Sequence, residues 1–416
     1  MFRVDLEHRN KKAHDGQRKR ERDVDKIVIV GAGYAGMMAA TRLQRGSRDF
    51  TMINRHEYHY LTTLLHEAAG GRGAPSHYSV PIRHILDKPG SKLVVDEVVK
   101  IDKEKRVVVC KSAEHEYDIL IFALGWIPEY FGIDGLKEHS LVLRSLNSAS
   151  HIRDHIEDQF RRYLDDNNEE HLRIVIGGAG LTGIELIGEL VDWVPQLCVR
   201  YGIDRSLVDI QNIEAMPTIL PQVPENLREV AMQTLTEKGA QLRTNTKIVR
   251  VEKDVVVVGD GEEVHAGTIV WTGGVRANPL LGEAGFTVDR RGRAKVNAYL
   301  QSVDDERVFI GGDSAWFEGE DGKPAPPTAQ MATQMGKQIG ENVLALGSGR
   351  AMKAFEPDNQ GTLASLGREV GVGNVKGIPV KGVVAGLAKE ATKVKYLWEL
   401  GGIRLASEKT GQLVHR

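Results

Sequence analysis

Sulfur is scarce in this chain: two cysteines, Cys110 and Cys198, stand 88 positions apart in 416 residues. That spacing forms neither a C-x-x-C pair nor a metal-binding set, and without a disulfide framework a reducing, intracellular compartment is the expectation. An excess of either charge is missing as well. Fifty-five Lys and Arg face 57 Asp and Glu, a formal net charge of -2, so no broad basic surface is available to neutralise phosphates, and nucleic acid is not an expected partner. No apolar run reaches the roughly 18 residues of a bilayer span, and a membrane crossing is not expected. Residues 1–24 nearly lack apolar side chains while carrying Arg9, Lys11, Lys12, Arg18, Lys19, Arg20 and Arg22. They suit neither a signal peptide nor a packed element, and a disordered charged extension is expected there.

Glycine, by contrast, is abundant, with 45 in the chain. Six of them form two fingerprints, Gly31-Ala32-Gly33-Tyr34-Ala35-Gly36 and Gly178-Ala179-Gly180-Leu181-Thr182-Gly183, each directly after a β-branched run. In such a motif the first glycine permits the strand-to-helix turn, the second admits a pyrophosphate, and the third lets helix and strand pack closely. The following helix offers free N–H groups to the diphosphate. Two fingerprints therefore predict two dinucleotide sites. The surrounding signals repeat in order: strand, fingerprint, helix, strand, a charged β-rich stretch, and a short apolar strand ending in glycine, at Gly125 and again at Thr272-Gly273-Gly274. A third short strand, 308–310, then meets Gly311-Gly312-Asp313. The expected organisation is a first nucleotide domain over 25–165 and 290–350, a second over 166–289 inserted within it, and a C-terminal region over 351–416.

The acid expected at the end of the second strand, where it would accept ribose hydroxyls, is Glu214 in the second unit. A carboxylate there favours NADH over NADPH. In the first unit the same place holds Asn54-Arg55 and no acid. Its nucleotide is identified instead by Asp313, which is well placed after a short strand and a glycine pair to hold the ribityl hydroxyls of a flavin. With both fingerprints and both glycine strand ends, the pattern resembles the flavoproteins with two dinucleotide domains that are built like glutathione reductase, an α/β fold of two Rossmann-like domains.

Branches of that superfamily differ in what takes electrons from the flavin. A thiol acceptor needs a reactive cysteine near the ring, and none lies between the first fingerprint and Cys110. Another acceptor is supplied by the segment 326–334. Thr328 can cap a helix whose N-terminus would face the pyrimidine end of the flavin. Gln330 and Gln334 stand four apart on one face of that helix, where two amides can address quinone carbonyls.

With these segments, and with 54–63, 177–185, 214–221 and 271–276, the chain from about Lys26 onward closely resembles the type II NADH:quinone oxidoreductases of bacteria. The resemblance implies FAD and NADH as redox partners, a membrane quinone as acceptor, and non-electrogenic transfer in a respiratory chain. It matches Asn54-Arg55 to an Asn-Lys pair at the flavin adenosine, includes Thr63 in its second segment, and implies flavin contacts at Val98, Ala329 and Lys389. It also treats Glu185 as essential; from the residues alone Glu185 either relays a proton near the nicotinamide or complements the helix dipole. His56, His59 and His66 show no metal-ligand pattern and are expected to pack or hydrogen-bond.

From Gly382 to Leu400, Val384, Leu387, Ala391, Val394 and Leu397 recur at helical steps, with Lys389, Lys393 and Lys395 mainly on other faces. Seven Lys and Arg against three Glu between Lys381 and Arg416 suit an amphipathic segment lying on an anionic membrane. Glu399 and Glu408 make it less apolar than the family expects, and a helix pair at a homodimer interface is the rival. The expectation is a peripheral enzyme on the cytoplasmic face of the cell membrane. Two alternatives keep the same fold: an NADH-dependent flavin reductase of oxygen or of a soluble carrier, and an NADH-sensing flavoprotein.

Overall fold

The two strands that precede the fingerprints, Ile27–Val30 and Arg173–Gly177, are almost wholly buried, as unbroken β-branched runs demand when helices cover both faces of a parallel sheet. Each lies at the centre of a five-stranded parallel sheet. The first runs Val308–Ile310, Ile119–Phe122, Ile27–Val30, Phe50–Asn54, Ser91–Val95. The second runs Leu141–Val142, Thr268–Trp271, Arg173–Gly177, Asp209–Ile213, Ala240–Arg243. Each unit adds a three-stranded antiparallel sheet, Val98–Asp102 with Val107–Cys110 and Glu114–Glu116 in the first, Ile248–Glu252 with Val255–Val258 and Glu263–His265 in the second. This computed structural model describes residues 25–319 and 322–414. The expected disordered extension, 1–24, lies outside the described residues.

The first sheet is completed by Val308–Ile310, which follows every strand of the second in sequence. The start of the inserted unit at 166 needs correction. Leu141 and Val142 pair in parallel with Val270 and Trp271, so the second sheet begins about 25 residues earlier. These two apolar residues cover its edge after the chain has crossed through Trp126–Pro128, itself paired with Val275–Ala277. The helix Leu146–Asp166 starts where Ser145 and Ser148 form a reciprocal capping box that satisfies two backbone N–H groups otherwise left free.

Beyond the helix Ala329–Gly347, an antiparallel sheet of Leu363–Ser365, Gly371–Val375 and Ile378–Lys381 leads into the helix Gly382–Val414. That helix is interrupted at Gly402, with φ 75° and ψ -170°. Its apolar stripe divides differently from the expected one. Leu397 is buried with Ala385, Tyr396 and Leu400, whereas Val384 and Leu387 are 64% and 65% exposed beside Val383, Trp398 and Ile403. Lys389 and Lys393 point inward, not outward. Each has a buried carboxylate to pair with, which a helical period alone does not reveal.

Candidate functional site

The first fingerprint folds as its spacing requires. Gly31 adopts φ +97°, and a Cβ there would sit 2.4 Å from the Ala123 carbonyl oxygen; a Cβ on Gly36 would strike the Gly31 carbonyl oxygen. Gly33 is different: the nearest protein atom to a Cβ would be 3.9 Å away. It borders a cleft at the carboxyl ends of the first sheet, with about 1200 Å³ of space free of protein atoms once the open solvent at its mouth is included. Gly31, Ala32, Gly33, Tyr34, Ala35, Asn54, Arg55, Val98, Gly125, Asp313 and Ala329 all line it. Of the remaining residues expected in this site, Gly36 lies beneath the loop as a packing contact. Thr63 hydrogen-bonds the Tyr34 hydroxyl at 2.8 Å, while its neighbour Thr62 lines the cleft. Lys389 is outside the cleft lining and pairs with Glu185.

Across the cleft, Thr328 accepts the Met331 N–H at 3.2 Å and caps the helix Ala329–Gly347, whose first turn contributes Ala329 and Ala332 to the lining. The helix approaches Tyr34–Arg45 closely through Gly336, where a Cβ would fall 2.2 Å from the Ala35 carbonyl oxygen. No hydrogen bond reaches the Asp313 carboxylate among the described residues. Burial pushes its pKa up to about 6, with Arg293 opposing. Trp126, Arg144 and Asn278 also line the cleft, although no sequence motif marks them. Arg144 comes from the crossover into the second unit.

The second fingerprint repeats the construction. Gly178 has φ +100° and abuts Gly273; Gly183 packs on the Gly178 carbonyl; Gly180 has no protein atom within 4 Å of a Cβ. Both loops are tied to the end of the following strand. The Ala32 N–H donates to Asn54 Oδ1 at 3.0 Å, and the Ala179 N–H donates to Glu214 Oε2 at 2.6 Å. The Met216 N–H supplies a second bond to Glu214 at 2.8 Å. Equivalent positions thus hold an amide in one unit and an acid in the other.

Glu185 is buried on the helix Leu181–Tyr201. It accepts from the Lys389 ammonium and from the Ser365 N–H at 3.1 Å, and lies 3.5 Å from His66 Nδ1. Burial and Lys389 keep His66 well below its ordinary pKa. Burial pushes Lys389 down to about 7, helped by Lys393 and opposed by Glu67. One helical turn further on, Glu189 takes both arms of the Arg72 guanidinium, and burial still lifts it to about 7. Lys393 bonds Glu67, and also Glu390 at 2.6 Å. Burial would raise Glu67, but the Lys393 and Arg72 cations outweigh it and hold that carboxyl well below its usual range. Glu185 is legible from the sequence, whereas the network around it forms only in the fold. The signal was present in the four-residue steps Glu185/Glu189 and Lys389/Lys393.

Gln330 and Gln334 share a face as expected, and both address the segment 358–360. Gln334 donates to the Asp358 carbonyl at 2.8 Å and accepts the Asp358 N–H at 2.9 Å; Gln330 Oε1 accepts the Gln360 N–H at 3.4 Å. The Gln334 amide is therefore engaged by backbone, whereas among the described residues the Gln330 NH2 donates to no hydrogen bond. Both thiols are buried, with Cys110 pushed up to about 11 and Cys198 also raised by burial.

The sequence profile of the pyridine nucleotide-disulphide oxidoreductases matches residues 25–336. Type II NADH:quinone oxidoreductases of Staphylococcus aureus and Staphylococcus epidermidis are 37% and 38% identical over 397 residues, covering 93% of this chain and 98% of each relative. NDH2 from Plasmodium falciparum in complex with NADH has the same fold, with TM-score 0.84 at 17% identity over 94% of this chain and 98% of that one. A sulfide:quinone oxidoreductase from Aquifex aeolicus also shares it, with TM-score 0.72 at 19% identity over 94% and 95%. The chain belongs to the pyridine nucleotide-disulphide oxidoreductase family and, within it, to the type II NADH:quinone oxidoreductases.

Proposed function

We propose that FAD occupies the cleft of the first unit, NADH binds the second fingerprint, and a membrane quinone is the final acceptor. The observation that carries this is the cleft itself. Gly33 leaves its floor open, and among the described residues no hydrogen bond reaches the Asp313 carboxylate that lines it, so ribityl hydroxyls can donate to it. When bound, the flavin supplies the redox chemistry, accepting hydride from NADH and passing two electrons to a quinone.

The chain's own residues orient and charge-balance that chemistry. Free N–H groups and the dipole at the start of Tyr34–Arg45 suit the FAD diphosphate, and those of Leu181–Tyr201 suit the NADH diphosphate. Glu214 is assigned to the NADH ribose and discriminates against a 2′-phosphate by repulsion. The Thr328-capped helix offers partial positive charge where the reduced ring becomes negative. Glu185, with Lys389, holds a proton beside the reacting region. Gln330 is assigned to the quinone, and Gln334 to holding the segment around Asp358 that borders it. With both thiols buried and protonated, a dithiol acceptor lacks the thiolate it needs.

The exposed side chains of Val383, Val384, Leu387, Trp398 and Ile403 support attachment to a membrane surface, where an amphipathic helix buries its apolar face among lipids. No helix of the described residues is long and apolar enough to cross one. A homodimer lying on the cytoplasmic face is the proposed assembly. Stopped-flow mixing of the FAD-loaded protein with NADH is expected to bleach the oxidised flavin band, and a short-chain quinone to restore it. A reduced band that persists with every quinone tested, yet decays with oxygen or a ferredoxin, would refute the quinone assignment.

A further inference from the structure

The short strand Tyr58–Tyr60 sends His59 beneath the first glycine loop, where it is fully buried. Its Nδ1 lies 2.8 Å from the Ala32 carbonyl oxygen, and its Nε2 lies 2.9 Å from the Tyr396 hydroxyl. A carbonyl only accepts, so Nδ1 carries the proton; Nε2 then accepts from the Tyr396 O–H. Burial pushes the imidazole down to about 4, which keeps it neutral, and the Ala32 carbonyl fixes the tautomer. The Tyr396 ring also packs on Tyr34 with centroids 4.5 Å apart. The other side of the loop is held independently, by the Ala32 N–H on Asn54. Ala32 and Tyr34 both line the cleft. Tyr396 is 337 positions from His59, on the helix that carries Lys389 and the exposed apolar face.

We propose that Tyr396, acting through His59, positions the first glycine loop, so that a dinucleotide in the cleft and the seated C-terminal helix stabilise each other. The identity of that dinucleotide rests on the FAD assignment above; the link between loop and helix does not. Linkage makes the effect reciprocal. Whatever factor the seated helix adds to cofactor affinity, the bound cofactor adds to seating of the helix. The bonded chain is directional, because removing the phenolic proton leaves a buried imidazole nitrogen without its donor.

The test is hydrogen–deuterium exchange on the full-length wild type and on Tyr396→Phe, each with and without FAD, together with the FAD dissociation constant from flavin fluorescence. The phenylalanine keeps the packing on Tyr34 and loses only the O–H. Amides of residues 31–37 are expected to exchange faster in Tyr396→Phe even without FAD, and the FAD Kd to rise about three- to tenfold, the size of one net hydrogen bond. In the wild type, FAD is expected to slow exchange over residues 382–400, and to do so less in the variant. Unchanged loop exchange in Tyr396→Phe overturns the proposal whether or not FAD binds, and so does a helix insensitive to FAD in a wild type that binds it. A wild type that binds no FAD while its loop still responds to Tyr396→Phe refutes the cofactor assignment and supports the link.

Discussion

Glu185 and Lys389, 204 positions apart in sequence, meet as a largely buried ion pair between the second nucleotide unit and the C-terminal helix. Such a pair is costly to break, because losing one partner strands the other charge away from water. Lys389→Met is expected to destabilise the protein by about 3–5 kcal/mol. The double variant with Glu185→Gln should recover more than half of that loss in urea unfolding. Turnover should stay low in all variants that lack the carboxylate; full quinone reduction by Glu185→Gln would refute its proton-holding role.

The glycines of the first fingerprint separate folding from binding. Gly33→Ala places a methyl where no protein atom stands closer than 3.9 Å, so the variant is expected to fold normally and to lose FAD. Gly36→Ala drives a Cβ into the Gly31 carbonyl oxygen and is expected to lower the melting temperature of the cofactor-free protein as well. Equal melting temperatures for the two would refute the distinction.

Glu214 is expected to set nicotinamide preference. Removing a hydrogen-bonding carboxylate costs about 1.5–3 kcal/mol, so Glu214→Ala should raise the KM for NADH by roughly ten- to a hundredfold. NADPH should gain relative to NADH, with the quinone KM nearly unchanged. Steady-state kinetics with both nucleotides decide this, and an equal loss towards quinone would remove the ribose role.

Leu387 and Trp398 are exposed apolar residues on the C-terminal helix. Burying a large apolar side chain is worth about 1.5–3 kcal/mol, so Leu387→Asp and Trp398→Asp should each weaken binding to anionic vesicles by roughly tenfold or more. Oxidation of NADH with a water-soluble quinone should be unaffected. Unchanged vesicle sedimentation would exclude this face as the membrane contact and favour its use between copies of the chain.

His59 links stability to pH. Its folded pKa is about 4 because of burial, against 6.5 for the free side chain. Between those values the unfolded chain holds a proton that the folded one does not, so stability falls as pH drops from 6.5 towards 4, by at most about 3 kcal/mol. His59→Gln should flatten that slope in thermal melts. A residual slope of the same sign is expected from His66, which is also depressed.

Local chemistry made much of this protein legible. A β-branched run followed by G-x-G-x-x-G specifies a turn, an anion-binding helix end and a close packing contact within six residues, and Thr328 announces its helix by the same short-range logic. The exchange of Asn54 for Glu214 at matching strand ends was readable too, since strand and loop fix both positions. The sequence by itself thus determined two nucleotide units and the unlike character of their strand ends. Tertiary structure alone decided where the second unit begins, that Lys389 and Lys393 face inward, that the Gln334 amide is spent on Asp358, and that Tyr396 reaches His59. Helical periodicity tells which residues share a face, but not what covers that face. Those partners lie hundreds of residues away, and packing of the sheets and helices brings them together.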